Sequence, residues 1–481
     1  MAKYLKSVKF PNSDTTYKIA EEQYNPDSEY AQSGKAVAEA LQQYVSNEVY
    51  ESEVDNIHTL LDNKVGVDSI DQTYSPTSEN AQSGKAVAEA VDPRTVYQKF
   101  IDDNKLKQRN WVDLSFVGGE YYYTNFLQAV ADVNADTTVN STTDSTNAVC
   151  QIFKNENITV LRLLSDISVT TEVIFEKSVI FDINGFTVSL TNNAVFGEQK
   201  TGSASCPTII RDCTIIFYGA KIGSIITAID SENMINCSHK YTYVCGGKYE
   251  LICGEDNTLK SSIIKNASNN SNDTILEVIN TDMCINASSA SSKQAARCVL
   301  IYTEDENNHI LNIYNSKMYQ YSENRAAYSV YILPKSTIPN PNIIVTFKQS
   351  KFISKSPANL GDASSSSLIL GKSNVKIEDC YIEGMNCGIQ NSATVFLNNC
   401  ICKSVSHGGI YNQGKAILYA QNSEFHKSLI PEGYTPSGSS AAYFGYGSVA
   451  YIDGCSFILD TDGDTSDGIA IKQGSGTIPT Y

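Results

Sequence analysis

Carboxylate side chains suited to acid–base chemistry recur in the C-terminal third of the chain: Glu378, Asp379, Glu383, Glu424 and Asp453. Glycoside hydrolysis needs two carboxyl groups, about 5–5.5 Å apart in retaining enzymes and about 6.5–9.5 Å apart in inverting ones. Carboxylates this frequent will meet such a distance by chance. The Arg/Lys–Asp clusters of polysaccharide lyases are not evident in the sequence. We therefore predict no catalytic site, and a glycan depolymerase is the alternative.

Potential metal ligands are present without the order that a metal site requires. The densest carboxylate cluster, DTDGDTSD at 460–467, offers oxygens to a hard cation such as Ca²⁺ but lacks the glutamate that ends an EF-hand loop. Cys237, His239, Cys245 and Cys253 are near one another without the spacing of a zinc site. Nucleotide-binding loops and the HExxH and GxSxG motifs are absent. The sequence predicts no metal and no cofactor.

Tyrosine is the residue type that best suits binding. The chain has 29 Tyr against one Trp, and several tyrosines cluster with polar neighbours, as in YTY at 241–243, YQY at 319–321 and YFGY at 443–446. Aromatic rings beside amides can stack on sugars and hydrogen-bond to them. Tyrosine is also a good strand former, which explains the same clusters without a ligand. A host glycan and a purely structural role both remain open at this point.

Composition limits the class of protein. The chain has 481 residues and a formal net charge of −17, which disfavours nucleic acid as a partner. Its N-terminal residues lack the apolar core of a signal peptide, and no stretch approaches the roughly 20 apolar residues of a membrane span. Thirteen cysteines without a CxxC pair indicate reduced thiols. We expect a protein made in a cytosol, retained or released by lysis, with no membrane insertion.

These side chains belong to a long β-rich segment, residues 148–481. Short apolar strands follow one another there, separated by Asn, Asp or Gly turns and without intervening helices, a pattern that favours stacked coils over an α/β sheet. Asp379 and Asn399 are twenty residues apart, and Asn399 and Asn422 are twenty-three apart, at equivalent points of successive strands. Repeats of this length are typical of a solenoid. The first strands also resemble those of pectate-lyase-like right-handed parallel β-helices.

The same alignment accounts for several cysteines without any chemistry. A small residue follows each turn residue and predicts a stacked internal ladder. The positions assigned to this ladder are Cys213, Ser316, Ser350, Cys380, Cys400, Ser423 and Cys455.

Residues 96–147 form a transition to the β-rich segment. Residues 124–134, TNFLQAVADVN, predict a short amphipathic helix, and a polar loop follows to about residue 147. A helix placed before a solenoid commonly covers the open end of the first coil, where unpaired backbone and apolar core would otherwise meet water. We predict that this helix is a cap.

The N-terminal part of the chain contains an eighteen-residue repeat. YNPDSEYAQSGKAVAEAL at 24–41 and YSPTSENAQSGKAVAEAV at 74–91 agree at fourteen of eighteen positions. Residues 23–95 thus predict two helix–turn–helix units with a seam of small residues, in which close packing offsets the cost of glycine. Such units bury too little surface to fold alone, which predicts a homotrimer, with an intrachain helical bundle as the alternative. The seam residues are Ala31, Gly34, Ala38, Leu41, Ala81, Gly84, Ala88 and Val91.

The repeat resembles that of bacteriophage head-fibre proteins, in which a trimeric helical stalk projects from the capsid. The resemblance covers about residues 1–95. It implies that the protein is a virion component assembled in the host cytoplasm. A lone hairpin is only marginally stable, so the predicted hairpin at 1–22 is a candidate anchor to the capsid or another virion protein, with a simple N-terminal cap as the alternative. The sequence as a whole predicts a mainly β protein: hairpin, trimeric α-helical stalk and right-handed parallel β-helix. A tail fibre or tailspike that binds host glycan is the alternative.

Overall fold

A computed structural model of the chain divides into two compact units, Met1–Pro93 and Arg94–Tyr481. In the first unit the described residues are 7–9, 16–18, 70–71 and 81–82. In the second unit they are 121–154, 159–199, 206–253, 261–268, 273–287, 296–322, 326–338, 341–355, 366–405, 408–429, 440–445, 447–460 and 469–473.

The described residues of the first unit form two short strand pairs. Strands β1 (Ser7–Lys9) and β2 (Thr16–Lys18) pair antiparallel, as the predicted hairpin requires. Strands β3 (Ile70–Asp71) and β4 (Ala81–Gln82) pair in parallel. Ala81 of the predicted seam lies in β4, and its seven other residues lie outside the described residues. The helical stalk and the trimer therefore stay predictions.

The first described elements of the second unit are strand β5 (Tyr121–Tyr123) and the predicted helix, α1 (Phe126–Ala135). The Oδ1 atom of Asn125 accepts hydrogen bonds from the amides of Leu127 and Gln128, and so caps the start of α1. The helix ends at Asp136, whose backbone is left-handed at φ 54°. One face of α1 is buried in the core, and its role as a cap stays a prediction.

The strands of the second unit form three sheets, here called A, B and C. Sheet A consists of β5 and β6 (Cys150–Lys154), β7 (Thr159–Leu163), β9 (Val179–Asp182), β11 (Arg211–Gly219), β14 (His239–Gly246), β17 (Thr274–Ile279), β20 (Asn308–Tyr314), β23 (Asn342–Lys348), β26 (Asn374–Glu378), β29 (Thr394–Asn398), β32 (Ile417–Gln421) and β35 (Val449–Asp453). Sheet B consists of β8 (Ile167–Val169), β10 (Thr187–Leu190), β12 (Ile225–Ile229), β15 (Lys248–Ile252), β18 (Asp282–Ala287), β21 (Lys317–Ser322), β24 (Lys351–Lys355), β27 (Tyr381–Gly384), β30 (Ile401–Ser404), β33 (Glu424–Lys427) and β36 (Ser456–Leu459). Sheet C consists of β13 (Asn233–Asn236), β16 (Ser261–Ser268), β19 (Ala296–Thr303), β22 (Ala327–Pro334), β25 (Leu368–Leu370), β28 (Ile389–Asn391), β31 (Ile410–Asn412), β34 (Ser440–Phe444) and β37 (Ile469–Gln473).

From β11 onward each strand pairs in parallel with the strand three places later, so each coil contributes one strand to A, then B, then C. Antiparallel pairing joins only β5, β6 and β7 among the strands described in this unit. The chain is mainly β, with long parallel sheets consistent with the predicted parallel β-helix. In-register stacking follows: Val375 pairs with Val395 and Val395 with Leu418, which reproduces the predicted spacings of 20 and 23 residues.

The interior is one continuous apolar core from Tyr123 to Ala442. Strand alternation explains it: Val375 and Ile377 of β26 are buried, whereas Lys376 between them is exposed. The core near α1 is filled by a group that we call the N-terminal phenylalanine cluster. Its rings are tilted or edge-on, with centroids 5.2 to 6.3 Å apart. Its members are Phe126, Phe175, Phe181, Phe196 and Phe217.

The turns from sheet A to sheet B contain the predicted ladder. Asn315, Asp379, Asn399 and Asn422 all have left-handed backbone, φ 44° to 54°, which Asn and Asp tolerate better than other non-glycine residues. The Nδ2 atom of Asn399 donates to Asp379 Oδ1 at 2.8 Å, so adjacent coils are also joined through these side chains.

The residue after each of these turn residues closes the turn through its own side chain. The hydroxyl of Ser423 donates to Gln421 O at 2.7 Å and accepts from the amide of Cys400, one coil away. The Cys400 thiol donates to Asn398 O in the same way. The assignment of Cys213 to this ladder is wrong: it lies within β11, beside a register shift between Arg211 and Thr214.

Candidate binding site

Three aromatic side chains form a stacked column on the outer face of sheet A. Phe396 of β29 is paired with Tyr419 of β32, which is paired with Tyr451 of β35. Neighbouring ring centroids are 4.8 Å apart, with interplanar angles of 5° and 6°. The spacing is that of adjacent strands, so the parallel in-register sheet itself positions the rings. Their exposed fractions are 47%, 37% and 57%. We call them the aromatic column.

A polar column lies beside the aromatic one, two residues further along each strand. It consists of Glu378, Asn398, Gln421 and Asp453, which are aligned by the sheet register. The two columns line an open groove of about 540 Å³. Four strands contribute to it, so three interstrand steps give a length of about 14 Å. We call this the sheet A groove.

Ion pairs fix one end of the sheet A groove. The ammonium group of Lys376 lies 2.9 Å from Glu378 Oε1, and that of Lys348 lies 3.9 Å from Glu378 Oε2. All three side chains are at least one-fifth exposed, so these pairs position the carboxylate more than they stabilise the fold.

The stacking decides which ring surfaces a ligand can contact. Both faces of Tyr419 are covered by its neighbours, so this ring offers its edge and hydroxyl group. Tyr451 is on the last strand of sheet A in the described residues, and one face of its ring has no aromatic neighbour among them. Next to these rings, amide and carboxylate groups can donate and accept hydrogen bonds. A row of aromatic rings beside a row of polar groups suits an elongated ligand rich in hydroxyls.

The carboxylates considered for hydrolysis are not brought together as a pair in this groove. Glu378 and Asp453 both line it, but three interstrand steps separate them, about 14 Å along the sheet and beyond the separation either mechanism uses. Asp379 lies in the turn ladder, where it accepts the hydrogen bond from Asn399.

The two remaining carboxylates lie on sheet B with partners of their own. Glu383 accepts a hydrogen bond of 2.7 Å from the hydroxyl of Tyr381. The pKa of Tyr381 is raised, mainly by burial and secondly by this carboxylate. Glu424 contacts His426 Nε2 at 2.9 Å. They are on β27 and β33, two interstrand steps apart, about 10 Å along the sheet.

The cysteine and histidine residues near position 240 are buried. The Nε2 atom of His239 is 2.6 Å from the carbonyl oxygen of Phe175, and burial lowers the pKa of this imidazole to about 4. Cys237 and Cys253 are buried in the main core, and Cys245 lies in a smaller cluster with Tyr243. Burial raises the pKa of Cys237 to about 12, which keeps it a neutral thiol.

Metal and membrane sites are not found in the described part of the second unit or in the strand pairs of the first. No group of three or more His, Cys, Asp or Glu side chains there could hold a metal ion. Residues 461–467 of the acidic cluster lie outside the described residues; Asp460 is 3.6 Å from His426 Nδ1. Among the described helices, none is long and apolar enough for a membrane span.

The tyrosine clusters seen in the sequence divide by environment. Tyr243 is buried, Tyr319 is exposed on sheet B, and Tyr443 stacks on Tyr411 at 4.6 Å on sheet C. The aromatic column was not predicted as a site. Its signal was available, because each of its rings precedes the left-handed turn residue by three positions in three successive repeats.

The chain matches no known family model, no curated protein and no solved structure.

Proposed function

We propose that this protein is a structural fibre of a bacteriophage virion, most similar to head fibres attached to the capsid. The observation that carries the proposal is the duplicated AQSGKAVAEA phrase ahead of a large β-domain. Three chains joined through the seam would supply the apolar contacts that one short repeat lacks. Residues 1–22 then contact the capsid or another virion protein. The β-domain is a right-handed parallel β-helix, the hand that nearly all parallel crossovers adopt.

In this proposal the β-domain adheres to host-surface or environmental glycans through the sheet A groove. The support is the pairing of an exposed aromatic column with a column of amides and carboxylates along the same 540 Å³ groove. Strand formation alone requires neither the exposure of three large rings nor their alignment with hydrogen-bonding groups. The binding surface is flat and open, so it would hold a glycan without enclosing a reaction.

Oligomeric state tests the stalk. Static light scattering of the full chain should give three times 52.6 kDa. Gly34→Leu and Gly84→Leu place bulk at the seam and should dissociate the trimer. Lys35→Ala and Lys85→Ala, adjacent in sequence but off the seam, are the matched controls. A monomeric wild-type chain would overturn the stalk proposal.

Antibody labelling of virions tests the location. Gold particles distributed over the capsid support a head fibre, whereas label confined to the tail assigns the chain to the alternative, a tail fibre or tailspike. Release of short fragments from host polysaccharide by the purified protein would add depolymerase activity to that alternative.

Binding to host cells tests the sheet A groove. Tyr451→Ala should lower binding of purified trimer by at least about fivefold, since aromatic anchors dominate binding energies. Tyr319→Ala removes a ring of similar exposure from sheet B and should leave binding unchanged. Equal losses in both variants would show that the sheet A groove is not the site.

A further inference from the structure

A second groove runs along the corner where sheet C turns into sheet A. The turns of successive coils stack there through backbone hydrogen bonds: the amide of Gly371 donates to Ile332 O, that of Ser392 to Leu370 O, and that of Gln413 to Asn391 O, at 2.8 to 3.1 Å. Glycine is required at 371, because a Cβ would lie 2.6 Å from Ile332 O. Side chains of equivalent turns are therefore presented one above another.

The corner contains two adjoining hollows of about 240 and 850 Å³. Lys372 and Ser392 line both, so the hollows form one continuous surface, which we call the corner groove. It spans the turns after β22, β25, β28 and β31, about 14 Å at the spacing of strands.

The charge of the corner groove is opposite to that of the chain. The chain has a net charge of −17, yet the two hollows together are lined by Lys335, Lys372 and Lys415 and by no Asp or Glu. Lys335 pairs with Glu304 at 3.1 Å. Lys372 and Lys415 form no ion pair with any residue of the described part of the chain. Two lysines facing a groove free of carboxylates favour an anionic ligand.

Tyr331, which lines the groove, packs against a buried cation. The guanidinium group of Arg297 lies 5.1 Å from the ring centroid of Tyr331. Arg297 is 4% exposed and lines neither hollow, so it supports this ring and is not one of the groups that contact a ligand.

The remaining polar groups indicate what kind of anion fits. The walls contain amides on both sides of the lysines, Asn342, Asn374, Gln390 and Gln413, together with serine and threonine hydroxyls. Such a lining matches a ligand with many hydroxyl groups and widely spaced charges. It contains a single aromatic residue, Tyr331, so it lacks the series of stacking rings that single-stranded nucleic acids use.

We propose that the corner groove binds an acidic polysaccharide, with Lys372 and Lys415 contacting its anionic groups and the amides contacting its hydroxyls. This is a second site beside the sheet A groove: Asn374 and Thr394 of the corner groove precede Lys376 and Phe396 by two residues on the outer side of the same strands. It does not depend on the virion role. Carboxylate and sulfate groups share the chemistry that lysine recognises, so both polymer types must be compared.

The test is binding of the full chain to immobilised polygalacturonate, with heparin and neutral dextran in parallel. Wild-type protein should bind one or both acidic polymers in 50 mM salt, lose that binding in 500 mM salt, and ignore dextran. The double variant K372Q/K415Q should bind at least roughly fivefold more weakly. K248Q/K317Q removes the same charge from sheet B and should bind within twofold of wild type.

Three results would overturn the proposal. They are absence of wild-type binding to both acidic polymers, equal loss in the two double variants, and stronger binding of a single-stranded oligonucleotide. A thermal unfolding curve for each variant separates loss of binding from loss of fold. Binding to polygalacturonate alone assigns carboxylates, and binding to heparin alone assigns sulfates.

Discussion

Aromatic side chains are used in two ways within one β-domain. In the N-terminal phenylalanine cluster the rings are inside, buried and tilted or edge-on to one another. In the aromatic column they are outside, parallel and exposed by a third or more. The cluster draws its rings from α1, from loops and from strands whose repeats are irregular, so shape complementarity sets their angles. The column comes from one register position, so the strand spacing sets its geometry.

The difference separates stability from recognition. Burial of a large aromatic ring contributes far more to the free energy of unfolding than does stacking at a wet surface. The cluster should therefore hold the N-terminal coils and α1 together, whereas the column should be nearly dispensable for folding. Four measurements test this distinction.

The largest effect is expected inside the cluster. Phe181 is fully buried and contacts four other phenylalanines, so Phe181→Ala should lower the free energy of unfolding by about 3–5 kcal/mol. Urea denaturation followed by circular dichroism measures this. Phe396→Ala, the equivalent truncation in the column, should cost about 1 kcal/mol or less. Equal losses for the two variants would refute the comparison.

The next effect is pH-dependent and also belongs to the cluster, because His239 bonds to the carbonyl of Phe175. Burial lowers the pKa of His239 from 6.5 to about 4 in the folded chain. Between these values the unfolded chain binds the proton and the folded chain does not. Stability is therefore complete above about pH 6.5 and declines as the pH falls towards 4, by about 3 kcal/mol in total.

Unfolding in urea at pH 7 and at pH 4.5 should show this decline, and His239→Gln should lose most of it. Other groups titrate in the same range, so the difference between wild type and variant is the quantity to compare. An identical pH dependence in both proteins would exclude His239 as its source.

A smaller effect is expected in the turn ladder that aligns the column. Asn399 has φ 52°, which a β-branched residue adopts only with strain. Asn399→Val should cost about 1–2 kcal/mol, whereas Asn399→Gly should be close to neutral apart from the lost hydrogen bond to Asp379. Thermal unfolding of the two variants measures the difference. A harmless valine would mean that the turn is not rigid.

The smallest effect on stability, with a clear effect on binding, is expected for Tyr419. Tyr419→Ala removes two stacking contacts at an exposed site and should cost about 1 kcal/mol. Tyr419→Phe keeps the stack and removes one hydroxyl. If the groove binds glycan as proposed, cell binding falls more in the alanine variant than in the phenylalanine variant, and the unfolding midpoints stay close together.

Local features of the fold could be read from the sequence. The alternation in β26, the turns at Asn399 and Asn422, and the helix after Asn125 each depend on residues close together in the chain. They were predicted correctly for that reason. Cys213 was misplaced because the Asp212–Cys213 pair imitates the turn pattern while lying inside a strand with a shifted register.

The sequence shows the repeat positions of the aromatic residues, but it does not show which exposed side chains meet on one surface. Phe396, Tyr419 and Tyr451 are 23 and 32 residues apart, and only the pairing of β29, β32 and β35 makes them neighbours. The lysines of the corner groove belong to successive coils that differ in length, so no fixed sequence spacing links them. Which exposed residues meet depends on register, which is a long-range property.

The duplicated N-terminal repeat and the solenoid-type series of short strands can be seen in the sequence alone, because both are periodic and periodicity is visible in one dimension. Which aromatic rings are buried, which are displayed, and where positive charge collects on an acidic chain follow from the tertiary structure. Coils of 20 to 38 residues stack at about 4.8 Å, so distant side chains come into contact only after pairing is complete.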